Sequence, residues 1–360
     1  MLTLTQAVSR VAARLNKNAN DTTVFNRIKN HINDVCLEKW LGYAWSFRFR
    51  EYPLVLSAIV ESGTLTATNG SRTVTASGTP FDSSIHVGAW INFKQDSIQA
   101  FYRILAVNST SSVTIEPAYQ GTTGSSKTYR LAKTDYLLPT EISDIAALKL
   151  MYNGRPLSPT HQTIADSMFQ PPLVSGGPLS LSVFNQEQKE TTYSTGTVSG
   201  SINTVTLTGV GTAWLANIKE GDEIVLTGDT NTYNVYMVNS DTSITLYQKL
   251  KVAASGVAYT ATRKFGHIIR IGYAADQAYV CFVKGLRDYY PLINDADTNE
   301  LLARFPYAVI EGAIWREAGS SPDPREDSLY QKSELMWAKA QGEDEAIIGQ
   351  HNPRPIWNPR

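Results

Sequence analysis

Three stretches of this chain hold the residue types that chemistry needs. Residues 121–128, GTTGSSKT, combine glycines, a lysine and hydroxyls, the ingredients of a phosphate-cradling loop. Such a loop requires a second glycine immediately before the lysine and a helix behind it whose free amides face the anion. Here Ser126 precedes Lys127 and no helical pattern follows, so a hairpin loop is expected instead. Residues 295–299, DADTN, start like a calcium loop. Glu300 then takes the place of the turn glycine and Pro306 that of the bidentate glutamate, so Asp297 and Glu300 are expected to form a helix-capping box. His31, His86, His161, His267 and His351 are scattered, and no two have metal-ligand spacing. No nucleophile elbow and no acid–base–nucleophile set stands out. The residues therefore predict no catalytic site, no cofactor and no metal, and a protein that is not an enzyme.

Cys36 and Cys281 both lie in apolar runs, which predicts buried free thiols in a chain made in a reducing compartment. Lys and Arg number 32 against 33 Asp and Glu, with no basic block, which argues against a nucleic-acid or membrane binder driven by charge. A partner must be recognised by shape. No apolar run approaches the ~20 residues that span a bilayer, and no signal-peptide pattern opens the chain, so a soluble, unprocessed product with no membrane partner is expected. At 360 residues and 42% hydrophobic content, two or three domains are expected.

The elements that must position any site begin with helices. Thr5 can cap a first one bearing Val8, Val11, Ala12 and Leu15. Phe25, Ile28, Ile32, Val35 and Cys36 then mark a longer amphipathic helix closed by Gly42. From Trp45 to Leu56 the period changes to alternation, a strand. Near the other end, residues 290–319 predict two helical pieces on one apolar face: Leu301, Leu302 and Phe305, a restart at Pro306, then Val309, Ala313 and Ile314, ended by Gly319. Asp323, Pro324 and Glu326 start a last helix running to about Gln341.

Between these ends, residues 63–131 recur as 196–261. Thr73-Val74-Thr75 matches Thr206-Leu207-Thr208, Phe81 matches Trp214, and Ile85, Gly88 and Ile91 match Ile218, Gly221 and Ile224, all at one offset. After a two-residue slip, Tyr102 and Val107-Asn108-Ser109 match Tyr233 and Val238-Asn239-Ser240. Each copy predicts short β-branched strands joined by Gly, Asn and Ser turns, a small all-β barrel or sandwich. Phe81 and Trp214 should be core plugs. Trp90 corresponds to Glu223 and has the opposite parity to Ile91 and Phe93, so it is expected on the outer face as a contact residue or, in a second reading, a glycan platform. Between the copies, Ala146 to Tyr152, an Asn153-Gly154 turn, a short helix near 163–169 and a strand near 179–184 are expected, and after the second copy strands near 267–273 and 279–283.

The predicted fold class is α+β: N- and C-terminal helices in a bundle, a small β-sheet region and two inserted, duplicated all-β modules. The expected division is 1–62 helices and first strand, 63–131 first module, 132–195 central segment, 196–262 second module, 263–341 strands and C-terminal helices, and 342–360 an extended arm. The arm, GEDEAIIGQHNPRPIWNPR, carries Ile347, Ile348, Pro353, Pro355, Ile356 and Trp357; its prolines predict an extended arm, and its apolar residues predict a docking segment, with a tail that packs on its own subunit as the alternative.

The parts outside the repeats resemble the head-to-tail connector proteins of tailed bacteriophages, the portal adaptors of the tail tubular protein A type. The resemblance is carried by Trp40 with Trp45-Ser46-Phe47, Tyr136-Leu137-Leu138-Pro139, Tyr152-Asn153-Gly154-Arg155-Pro156-Leu157, Tyr290-Pro291-Leu292, Asp297-Thr298-Asn299-Glu300-Leu301-Leu302, and Pro306 with Gly312-Ala313 and Ala318. The β modules fall where that family commonly has short β connections. The resemblance implies a virion protein of the neck, assembled in the host bacterial cytoplasm. It further implies a ring of twelve subunits beneath the portal protein, the C-terminal arm docked on the portal, tail or nozzle proteins at the opposite end, and only non-specific contact with the double-stranded DNA passing through. A virion decoration or receptor-binding protein, using the β modules to bind glycan, is the alternative.

Overall fold

In the computed structural model of the chain, the described residues are 1–96, 100–152, 155–157, 175–177, 181–186, 191–263, 266–271, 274–320 and 323–351. The protein is mixed α and β, with several antiparallel sheets. The chain forms two compact units. One gathers Met1–Arg50, Thr192–Thr262 and Leu286–Arg360, and the other Glu51–Thr191 and Arg263–Gly285.

The first unit contains the long helices. Helix α1 (Leu4–Arg14) is capped by Thr3 rather than Thr5: the Thr3 hydroxyl accepts from the Gln6 amide and the Gln6 side chain answers back, a capping box that the sequence reading passed over. Thr5 instead ties the helix to the Asp295 carbonyl. Helix α2 (Thr22–Gly42) starts at Asp21, whose carboxylate accepts from Thr23 and Val24. The expected strand from Trp45 opens as a 3-10 turn, Ser46–Arg48, and only Phe49–Leu56 (β1) is extended. Apparent alternation misled there: Phe47 and Arg48 are both buried, while Phe49 faces outward.

Helix α3 (Glu300–Arg304) corrects the predicted Asp297–Glu300 box. Asn299 is the cap, accepting from the Leu302 amide, and Asp297 lies outside the helix. Helix α4 (Pro306–Gly319) has Pro306 in its first turn and ends at Gly319 as expected, because a proline there gives up an amide the helix does not use. Helix α5 (Glu326–His351) is the largest correction. It runs straight through Gly342, so residues 342–351 are helical and not an extended arm. A single helix-interior glycine costs about 1 kcal/mol, which a 26-residue helix absorbs, and no proline intervenes before Pro353. These helices share one core: Leu4, Val8, Ile28, Ile32, Trp40, Trp45, Leu301, Val309 and Trp337 belong to a single buried cluster.

Two large antiparallel sheets are formed by residues 64–132 and 191–263. The first contains β2 (Thr64–Ala67), β3 (Thr73–Ser77), β4 (Trp90–Phe93), β5 (Phe101–Ser109), β6 (Ser112–Glu116), β7 (Gly124–Lys127) and β8 (Tyr129–Ala132), ordered β7-β2-β3-β6-β5-β4-β8. The second unit also holds β9 (Asp135–Leu137), β10 (Ile142–Tyr152), β11 (Arg155–Leu157), β12 (Ser175–Gly176) and β13 (Leu181–Gln186). β10 and β11 pair antiparallel with Tyr152 opposite Arg155, and the turn expected at Asn153-Gly154 lies outside the described residues. The helix expected near 163–169 also falls outside them.

The second large sheet contains β14 (Thr191–Tyr193), β15 (Thr197–Gly200), β16 (Thr206–Val210), β17 (Glu223–Leu226), β18 (Thr232–Ser240), β19 (Ser243–Leu246), β20 (Ala254–Val257) and β21 (Tyr259–Arg263), ordered β14-β21-β17-β18-β19-β16-β15-β20. Val74 pairs with Val113 in the first sheet and Leu207 with Ile244 in the second. Gly78 and Gly211, and Gly88 and Gly221, all have positive φ, the backbone that a side chain would strain. The Tyr129 hydroxyl reaches the Ser62 carbonyl, and the Tyr259 hydroxyl reaches that of Thr195. Phe81 and Trp214 are buried, each in its own sheet's core. The chain then forms β22 (Gly266–Ile271), between β13 and β9, β23 (Ala274–Ala275), beside β12, and β24 (Tyr279–Arg287), between β1 and β10.

Candidate interaction site

The chemistry-bearing residues are committed to holding the fold. Lys127 does not wait for a phosphate: its ammonium meets Asp96 at 2.7 Å, and Tyr119 donates to the other Asp96 oxygen at 2.5 Å. Asp297 does not face a cation site either. Its buried carboxylate accepts from three backbone amides, Lys249 at 2.8 Å, Ile293 at 3.0 Å and Asn294 at 2.8 Å. Burial pushes this carboxyl above the usual carboxylate range in spite of those donors. Burial likewise pushes the Cys36 thiol up to about 12 and the Cys281 thiol upward, so neither is a nucleophile near neutral pH. Both are free and buried. Among the described residues, no group of three His, Cys, Asp or Glu is placed to hold a metal ion.

Asp297 has a mechanical role within the first unit. It joins the loop before α3 to the segment after β19, and two neighbouring contacts support it: Asn294 donates to the Leu250 carbonyl, and the Tyr247 and Tyr290 rings lie 4.4 Å apart. The second large sheet is thereby fixed to the helices. Tyr236 extends this aromatic run, with the Arg50 guanidinium 4.4 Å above its ring. A groove of about 580 Å³ lies beside the junction, lined by Thr3, Gln6, Ile202, Asn203, Lys251 and Asp295.

The helices are joined by buried ions as much as by apolar contact. On α4, Glu317 is fully buried and accepts from Arg27 through two nitrogens, at 2.6 and 2.9 Å, and from Lys17 at 2.6 Å; His31 lies 3.3 Å away. Burial works against the Glu317 anion, yet Arg27 and Lys17 overcome it and hold the carboxyl below its usual range. One turn and a half earlier, Glu311 pairs with Arg14 of α1 and, at 3.1 Å, with Lys332 of α5. Sequence periodicity reports only apolar faces, so both glutamates escaped it.

The residues expected to make contacts are placed as follows. Ile347 is exposed on α5, the Ile348 side chain lies outside the described residues, and so do Pro353, Pro355, Ile356 and Trp357. Close before Ile347, Asp344 is buried and accepts from the Ser46 amide at 2.8 Å and the Ser46 hydroxyl at 2.5 Å, which anchors the end of α5 to the 3-10 turn. Trp90 is half-buried, beside the buried Ile91 and Phe93, and its indole nitrogen is shut away from solvent. It pairs with Arg103 and Ala132 on the neighbouring strands.

No family model matches the chain, and no curated protein does. Among solved structures the chain is similar to a phage phi92 endosialidase, with 10% identity and a TM-score of 0.19, over 61% of this chain and 31% of that one. It thus spans less than a third of that chain's length. A likeness of that size carries no argument about fold or activity. Among the described residues, no helix is long and apolar enough to cross a membrane.

Proposed function

We propose that this chain is a structural virion protein, a head-to-tail adaptor that forms a ring beneath a phage portal, joins capsid to tail and lines the DNA passage. In this reading the terminal helices are one bundle, and the two large sheets are copies of one module inserted into it. One observation carries the proposal: the motifs of the resemblance that lie near the two ends of the chain pack together. Trp40, Trp45 and Phe47 from one end and Tyr289, Leu292, Leu301, Phe305 and Ala313 from the other belong to one buried cluster. Trp45 lies 5.3 Å from Phe305, and the Trp40 indole donates to the Arg287 carbonyl at 3.0 Å. The motifs near the two ends are thus parts of one packed core.

Near-zero net charge suits a conduit, because each phosphate neutralised by Lys or Arg adds grip on DNA that must slide. The reading keeps the portal as partner of the C-terminal segment, with a division of labour set by α5. Residues up to Asp344 hold the helix to its own subunit, and Ile347 onward are offered to the portal. Deleting residues 352–360 together with Ile347→Asp should abolish portal binding while leaving the subunit folded. Unchanged binding in a pull-down with portal would remove the docking assignment. The alternative, glycan binding by a decoration protein, is tested by a glycan array with Trp90→Ala, and loss of a measured signal there would favour it.

A further inference from the structure

We infer that two different apolar patches of this chain meet across copies: the outer face of the β1–β24 pair on one subunit receives the Val210–Leu215 end of the second large sheet on the next. The inference rests on the ring reading and names the contact that would close it. On β1 and β24, Tyr52, Leu56, Cys281 and Val283 point into a core, and their chain neighbours point out. A solvated antiparallel face would be polar. This one carries Val55 at 58% exposure, Val280 at 63% and Phe282 at 44%. Its charged members, Glu51 and Lys284, pair with each other at 2.6 Å, so the face has no net charge with which to repel an identical copy. On adjacent strands, the three supply the kind of apolar centre that an ~800 Å² interface side is built around.

A ring needs a heterologous contact, and so a second, different patch on the same chain. Comparing the two large sheets points to it. Val210 stands where the first has Ser77, and Leu215 where it has Asp82. Both of those polar residues are exposed, so the fold is made without an apolar group at either place. In the second sheet Val210 is nevertheless 73% exposed and Leu215 54%. The two lie at the same end of the sheet: the Leu215 amide donates to the Asp241 side chain at 3.0 Å, and the Thr212 hydroxyl, two residues after Val210, donates to the Asp241 carbonyl at 2.5 Å. Apolar exposure that the fold does not require, on a chain of net charge -1 with a matching apolar face elsewhere, fits a partner that is another copy of itself.

The test compares Val210→Ser with Leu215→Asp, which restores the residues the first sheet carries, and separately Val280→Asp with Phe282→Asp. Light scattering and electron microscopy follow assembly, with circular dichroism as the check on folding. Each folded double variant should lose rings at concentrations where the unsubstituted chain forms them. Rings that persist with either pair overturn this contact while leaving the adaptor reading in place. Absence of rings from the unsubstituted chain, alone and with portal, overturns the adaptor reading itself. Independently of assembly state, mixing Val280→Cys with Leu215→Cys chains under mild oxidation should give a disulfide-linked pair that neither variant gives alone; no such pair overturns the contact.

Discussion

Replacing Glu317 with glutamine removes the charge that holds three segments of the helical unit together. The carboxylate is wholly buried, and its loss leaves Arg27 and Lys17 without their counter-ion. Breaking a fully buried pair costs about 3–5 kcal/mol. Arg27 is 40% exposed and Lys17 25%, so both can turn toward water and recover part of that cost. Their partial exposure lowers the expected loss to about 2–3 kcal/mol. In urea, with a slope of about 1–3 kcal/mol per molar, the transition of the helical unit should move down by about 1 M. Tryptophan fluorescence reports it, since Trp40, Trp45 and Trp337 lie in that core. The same carboxyl gives the acid dependence a sign. Its folded value is depressed below 4.5, so its stabilisation is present above that pH and is lost as pH falls through the folded value. The glutamine variant should therefore lose less stability than the parent below about pH 4.5. A shift under about 0.5 kcal/mol, the size of an ordinary surface change, would refute this account of the cluster.

Other predictions test separate joints. Gly312→Ala places a Cβ 2.8 Å from a Val35 methyl, so thermal unfolding should show a loss of about 1–3 kcal/mol; the gain of about 1 kcal/mol that helix propensity alone would give is the contrary result. Trp214→Ala should cost about 3–5 kcal/mol and Phe81→Ala a similar amount, each measured by urea unfolding, because both fill the centre of a sheet's core; a loss below 1 kcal/mol in either would deny the plug role. Burial lowers His86 below 6.5, and its Nδ1 accepts from the Asp82 amide at 2.9 Å, so stability held above pH 6.5 should fall away as pH drops below it; an NMR titration midpoint above 6.5 would contradict this. Asp297→Asn presents an amide to backbone N–H groups and should speed hydrogen exchange at Lys249, Ile293 and Asn294; unchanged exchange would show that the carboxylate is not the link.

Much of this architecture was legible because it is local or periodic. The buried residues of α2 could be read from their spacing, and Pro306 and Gly319 punctuate α4 where their backbone chemistry requires. The likeness of Phe81 to Trp214 named two core residues with no other information. The misreadings arose where several polar residues compete for one local task. Thr3 and Thr5 could each cap α1, and Asn299 and Asp297 could each cap α3; distant partners decided, since Asp297 is claimed by the Lys249 amide. Arg48 looked like the outward member of an alternating strand, but it donates to the Trp40 and Tyr43 carbonyls and is buried. The final helix was cut short at Gln341 because the effect of the tail's prolines was extended back to Gly342, whereas the first of them is Pro353 and Asp344 anchors the continuation to Ser46. The glutamates of α4 were invisible for a similar reason: a buried carboxylate looks solvent-facing until its cations are found elsewhere in the chain.

The most direct test of the adaptor reading is the mass and shape of the purified chain, alone and mixed with portal, by light scattering and electron microscopy over a range of concentrations. The account predicts closed rings of about twelve copies around an open channel, seated on the portal. A species that stays at 39.7 kDa throughout, with or without portal, would contradict it.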